Sequence, residues 1–106
     1  SNEKPVFTKV KDDVPAIYGL DSNASNSLIA DGCVIEGTVE NSVLFRGCQI
    51  KKGAVVKNSV VLAEVTIGED VHVENEVVDK WARLIHKKEL VSPADQPGYI
   101  RRDDTL

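Results

Sequence analysis

Two histidines, two cysteines and one basic cluster are the residues of this chain whose types and spacing bear on chemistry. His72 lies in an alternating Val-His-Val run, and His86 follows the last regular segment. Neither has a Ser, Cys or Asp at a spacing that makes a relay, so both read as surface histidines. Cys33 and Cys48 come without a CxxC pair or a His/Cys cluster at metal spacing. They read as packed small residues, not as a redox or metal pair. No Gly-rich phosphate loop is present. What remains is Asp79-Lys80-Trp81-Ala82-Arg83, followed by Lys87 and Lys88. Close basic groups hold a phosphorylated ligand through charge-assisted hydrogen bonds. The plainer reading is a solvated edge. Lys80 and Arg83 are therefore the candidate effector-binding residues, and no catalytic or metal residue is assigned.

The elements that position these residues follow from a repeat. Asn-Ser-Leu-Ile at 26–29 returns as Asn-Ser-Val-Leu at 41–44 and Asn-Ser-Val-Val at 58–61. A worn copy, Asn-Glu-Val-Val, stands at 75–78, so the steps are 15, 17 and 17 residues. A fixed period that short marks a solenoid of stacked coils. Inside it, Leu44, Ile50, Val56, Val61, Ile67, Val73, Val78 and Leu84 recur in steps of 6, 6, 5, 6, 6, 5 and 6. Ile29, Ile35 and Val39 open the series. Two residues before these anchors lie mostly small or apolar residues, among them Cys33, Ser42, Cys48, Ala54 and Ser59.

Positions two apart share a face of a strand. Each unit is then a short strand with one small and one large inward residue, followed by a bend. Three units make a coil, and stacked coils make three parallel sheets around a triangular prism. A helix is excluded because steps of five and six do not sustain a helical stripe, and β-branched residues dominate. Gly32, Gly47 and Gly53 fall at bends that call for positive φ. Asn26, Asn41, Asn58 and Asn75 occupy another edge, where Asn tolerates the left-handed region and stacked amides can bond as a ladder.

The residues between inward positions point out. On one face they are Leu28, Val43, Val60 and Val77, with Phe45 and Leu62 in the next outward column. Such an apolar stripe rarely stays wet. These six are the candidate interface, with the terminal segments, another domain or another subunit as the expected cover. The open edges at the two ends also need caps. The organisation expected is a lead-in at 1–25 with an edge strand at 6–11, a β-helix at 26–86, and an irregular tail at 87–106 marked by Pro93, Pro97 and Gly98.

Bulk properties narrow the partners. One hundred and six residues fit one modest domain. A net charge of -4 and a pI near 5.1 argue against nucleic acid or an anionic membrane. No apolar stretch approaches a membrane span and no signal peptide is visible, so a cytoplasmic location is expected. The chain has no Met, and Ser1-Asn2 looks like a tag remnant, which suggests a piece of a longer protein.

Pro5-Val6-Phe7-Thr8-Lys9-Val10-Lys11 resembles the segment that leaves the catalytic domain of glucose-1-phosphate adenylyltransferases (ADP-glucose pyrophosphorylases). The stretch from Asn26 through Ala30-Asp31-Gly32-Cys33 to Gly37 resembles the opening of their C-terminal β-helix, and the later Asn-Ser-Val copies continue it. Within the family the chain looks most like the GlgD-type subunit of bacterial glycogen biosynthesis. The resemblance implies a left-handed parallel β-helix, a hand the period alone does not carry. It implies a parent reaction of ATP and glucose 1-phosphate giving ADP-glucose and pyrophosphate, with Mg²⁺. That chemistry would belong to a preceding nucleotidyltransferase domain, with no cofactor and no catalysis expected in this piece. It also implies tetramer assembly with other subunits and allosteric control by this domain.

Val77-Val78-Asp79-Lys80-Trp81-Ala82-Arg83-Leu84 resembles the Ile-Ile-Asp-Lys-Asn-Ala-Arg-Ile stretch whose Lys is implicated in binding anionic effectors. That role carries to Lys80, and more weakly to Arg83, with Trp81 replacing the usual Asn. A hexapeptide-repeat acyltransferase would share the β-helix, but generally carries a catalytic His at a subunit cleft, for which His72 and His86 lack partners. The β-helix of another sugar-nucleotide pyrophosphorylase is the other rival, against which Thr8-Lys9 argues.

Overall fold

The computed structural model describes residues 14–106. The lead-in strand expected at 6–11 lies outside the described residues. The described residues run as fifteen short strands. The first coil holds β1 (Ile17–Tyr18), β2 (Asn23–Ser25) and β3 (Leu28–Ile29); the second holds β4 (Val34–Ile35), β5 (Thr38–Glu40) and β6 (Val43–Leu44). The third holds β7 (Gln49–Ile50), β8 (Val55–Lys57) and β9 (Val60–Val61); the fourth holds β10 (Thr66–Ile67), β11 (His72–Glu74) and β12 (Glu76–Val78). The last coil holds β13 (Arg83–Leu84), β14 (Glu89–Val91) and β15 (Gly98–Ile100).

Every third strand pairs, so three five-stranded parallel sheets result. One is β1-β4-β7-β10-β13, the second β2-β5-β8-β11-β14, and the third β3-β6-β9-β12-β15. This is a parallel β-solenoid of roughly 17 residues per turn, as the period requires. Among the described residues there is no helix long and apolar enough to cross a membrane.

The inward register agrees with the anchor series. Ile35, Val39, Ile50, Val56, Val61, Ile67, Val73, Val78 and Leu84 have no exposed surface, and Leu44 has almost none. Ile29, which closes the first coil of the described residues, is only half-buried. The small inward positions Cys33, Cys48, Ala54, Val65, Val71 and Ala82 are buried between them. Full burial of such aliphatic side chains contributes about 1.5–3 kcal/mol each.

The edges have their own chemistry. Asn26, Asn41, Asn58 and Asn75 all adopt positive φ, between 47° and 59°. Asn26 Nδ2 donates to Asn41 Oδ1 at 2.8 Å, and Asn41 Nδ2 donates to Asn58 Oδ1 at 2.6 Å. Asn75 instead donates to the Ser92 carbonyl at 2.8 Å. Just inside this edge the inward serines make a second ladder. The N–H of Ser42 donates to Ser27 Oγ, that of Ser59 to Ser42 Oγ, and that of Glu76 to Ser59 Oγ, at 3.0–3.1 Å.

The flanks differ from the expected lead-in and irregular tail. β1 and β2 extend two of the sheets before residue 26, and β14 and β15 extend two after residue 86. The tail loses its obvious period because of an insertion. Val73 pairs with Leu90 seventeen residues on, but Val78 pairs with Ile100 twenty-two residues on. The extra length is the bend around Pro93 and Pro97. Beyond it the chain resumes, with Arg83 bridged to Thr105 and Leu106 packed against the core.

Candidate functional site

Lys80 and Trp81 form the bend between β12 and β13. This edge of the prism imposes left-handed backbone on successive coils: Gly32, Gly47, Glu64, Trp81 and Asp103 all have φ between 61° and 73°. Trp81 therefore holds a strained corner that glycine fills at 32 and 47 and glutamate at 64, and it is 55% exposed. Lys80 is exposed beside it, and its N–H donates to Asp79 Oδ1 at 2.7 Å.

The next bend, at 101–104, stacks directly on this one. The Asp79 N–H donates to the Ile100 carbonyl at 2.9 Å, and the Asp103 N–H to the Lys80 carbonyl at 3.0 Å. That register brings Arg101 and Arg102 beside Asp79 and Lys80. Tyr99 Oη donates to Asp79 Oδ2 at 2.5 Å. This bond, then the Lys80 N–H, holds the Asp79 carboxyl below its usual range, and the same contact pushes the Tyr99 phenol up. Arg101 Nε lies 3.4 Å from Asp104 Oδ2, and Arg102 Nε 4.0 Å from Asp103 Oδ2. The corner thus gathers Lys80, Arg101 and Arg102 around partly compensating carboxyls.

Arg83 is exposed on the outer face of β13, past the bend that carries Lys80. Lys87 and Lys88 stand one bend further on, and Lys88 Nζ donates to the Glu69 carbonyl at 2.9 Å. The structure therefore separates them from Lys80 and substitutes Arg101 and Arg102. Those two were missed because the insertion hides the last coil. A signal existed: Leu84 to Leu90 and Ile100 to Leu106 are both steps of six.

The apolar stripe lies on the third sheet. Leu28, Val43, Val60 and Val77 stand in register, and Tyr99 adds a fifth row opposite Val77. Leu28 is 71% exposed, Tyr99 60% and Phe45 46%, while Leu62 and the three valines are half-buried. β15 joins the edge of this sheet, so the tail lengthens the stripe. A shallow groove of about 390 Å³ runs between the stripe and the Asn edge, and an apolar hollow of about 240 Å³ lies between Leu28 and Phe45.

Residues 14–94 match the family described as GlmU-like, C-terminal hexapeptide. The chain belongs to this hexapeptide-repeat family. Over 100 residues, 94% of its length, it is 41% identical to the glycogen biosynthesis protein GlgD of Bacillus subtilis (strain 168), covering 29% of that protein. It is 65% identical over 52 residues to the GlgD of Geobacillus stearothermophilus, 49% of this chain and 15% of the relative. Over 72 residues it is 40% identical to the glucose-1-phosphate adenylyltransferase of Fervidobacterium nodosum, 68% of this chain and 17% of the relative. Two of these relatives are named as glycogen biosynthesis proteins and the third as a glucose-1-phosphate adenylyltransferase. The chain spans less than a third of the length of each of these relatives.

Within this hexapeptide-repeat domain the histidines and cysteines sit apart from the basic corner. His72 Nε2 is 2.9 Å from Glu74 Oε1, and its Nδ1 is 3.5 Å from Glu89 Oε1, with carboxyl groups on both sides. His86 is exposed at a bend, where its N–H donates to the Leu106 carbonyl. Cys33 and Cys48 are free and fully buried. Each Sγ donates to a backbone carbonyl, of Phe45 at 3.2 Å and of Leu62 at 3.1 Å. The side-chain contact with Cys33, and then burial, push the Cys48 thiol up, which keeps it an unreactive packing group. Among the described residues no group of three His, Cys, Asp or Glu side chains is placed to hold a metal ion.

Proposed function

We propose that this chain is the assembly and regulatory β-helix of an ADP-glucose pyrophosphorylase subunit in cytoplasmic glycogen biosynthesis. The parent reaction joins ATP and glucose 1-phosphate into ADP-glucose and pyrophosphate, and it belongs to a nucleotidyltransferase domain that uses Mg²⁺. The observation that supports the assembly role is the five-row apolar stripe from Leu28 to Tyr99, on the outer face of one sheet. A flat parallel sheet repeats the same spacing of about 4.8 Å along its whole length. It therefore offers a rigid platform against which other subunits of the enzyme pack.

The regulatory role is supported by the basic corner. Lys80, with Arg101 and Arg102 stacked beside it, suits a phosphorylated small-molecule effector, and Arg83 flanks it on the neighbouring face.

Assembly is tested by sedimentation velocity of the whole protein. Phe45→Glu and Val60→Glu place charge on the stripe without touching the inward register. Both are expected to leave the far-ultraviolet spectrum unchanged and shift the assembly to a smaller species. Identical sedimentation of wild type and both variants would remove the stripe as an interface.

A further inference from the structure

The small inward position of the third sheet is serine in three successive coils, Ser27, Ser42 and Ser59. In the fourth it is Glu76, a charged residue only 7% exposed. A glutamate in that column needs a partner that the repeat does not supply. The partner is Ser92, on the inserted bend of the last coil, whose Oγ donates to Glu76 Oε2 at 2.5 Å. That is the short end of the range for a hydroxyl donating to a carboxyl oxygen.

Three further contacts converge on the same point. Asn75 Nδ2 donates to the Ser92 carbonyl, the Ser92 N–H donates to the Glu74 carbonyl at 3.1 Å, and the Gly98 N–H to the Asn75 carbonyl at 3.0 Å. Gly98 leaves no room for a larger residue, because a Cβ there would strike the Glu76 carboxyl and Ser92 Oγ. The residues that follow are Tyr99, Ile100, Arg101 and Arg102.

We propose that Glu76 and Ser92 form a latch that seats the last coil and thereby positions Arg101 and Arg102 beside Lys80. Both are positioning residues: neither reaches the corner itself, and each acts through the backbone of β15. The proposal rests on the anion-binding reading of that corner. Because the latch sits under the end of the striped sheet, it also ties the row Val77–Tyr99 to the same coil. A contact on the stripe and an anion at the corner then bear on one element.

The experiment pairs hydrogen exchange of the whole protein with calorimetric titration of inorganic phosphate. Ser92→Ala and Glu76→Ser are expected to speed exchange over 98–106 by about tenfold, the effect of one lost buried hydrogen bond, and to leave 43–67 unchanged. Phosphate affinity is expected to fall several-fold in both. Glu76→Gln keeps an acceptor for Ser92 and is expected to preserve protection and affinity, whereas a purely electrostatic role of Glu76 would raise phosphate affinity in that variant. Unchanged exchange over 98–106 in both disrupting variants overturns the latch. Faster exchange with unchanged phosphate affinity, in a protein where Lys80→Ala loses it, overturns the positioning role. Phosphate binding that ignores Lys80→Ala overturns the anion reading alone, and exchange then decides the latch by itself.

Discussion

The middle coils and the last coil solve one problem in two ways. In the middle, each coil repeats the same local devices: an aliphatic anchor, an Asn at the corner, a serine inside it. The amides of Asn26, Asn41 and Asn58 and the hydroxyls of Ser27, Ser42 and Ser59 bond from coil to coil, so this edge is satisfied largely by translation. The last coil departs from that pattern, with Thr105 stacked on its first strand at Arg83. It closes with single-use contacts: Glu76 to Ser92, Asn75 to the Ser92 carbonyl, Tyr99 to Asp79. It is also where the charged side chains gather. Repetition satisfies the inner edge of the middle coils, and the breaks in repetition set single charged and aromatic side chains together at the last one.

The largest test of that contrast lies in the core. Ile67 is fully buried in the fourth coil, whereas Leu90 is half-buried in the last. Ile67→Ala is expected to cost about 3 kcal/mol, and Leu90→Ala about 1 kcal/mol, since cavity cost scales with how completely the site is enclosed. Urea denaturation measures both. Equal losses would mean that the last coil is as integral to the core as the middle coils, and the contrast would fail.

The corner asparagines give an intermediate effect. Asn41 holds φ of 49° and joins two amide bonds, one up and one down the edge. Asn41→Ala loses both bonds and places alanine in the left-handed region, for an expected cost of about 1–2 kcal/mol. Asn41→Gly restores the backbone freedom and is expected to recover roughly half of that loss. If alanine and glycine behave alike in denaturation, the ladder, not the backbone, carries the position.

Most of the fold was legible because a translational repeat writes each position several times. The eleven anchors, the asparagine edge and the outward stripe were each read from three or four copies. What was illegible occurs once. A single insertion around Pro93 and Pro97 hid β14 and β15, and with them the arginines beside Lys80. Glu64, Asp70 and Trp81 at positive φ gave no warning either, since their glycine counterparts had set the expectation. There the stacked coil imposes the backbone, and the side chain follows. Lys80 was read as one member of a basic run, whereas the fold sets Lys87 and Lys88 one bend further on and stacks Arg101 and Arg102 beside it. The hand of the coil is the one global property that a period leaves open.

The smallest effect is the most local. Tyr99 donates to Asp79, and this bond is the first cause of that carboxyl lying below its ordinary range. A depressed carboxyl favours the folded state above the unfolded value of about 3.9, and that contribution is lost as pH falls through the folded value. Tyr99, raised by the same bond, favours the fold below about pH 10 and loses that contribution as pH rises through its folded value. Tyr99→Phe should therefore move the Asp79 titration upward, read by nuclear magnetic resonance on its side-chain carboxyl, though the Lys80 N–H still holds it partly down. Both groups are solvent-exposed, so the stability difference from wild type should be small, flat between those limits, and shrinking toward either extreme. An unmoved Asp79 titration would show that the last coil is seated without Tyr99, leaving the bonds of Glu76 and Asn75 to Ser92 as its side-chain ties to the fourth coil beside that sheet.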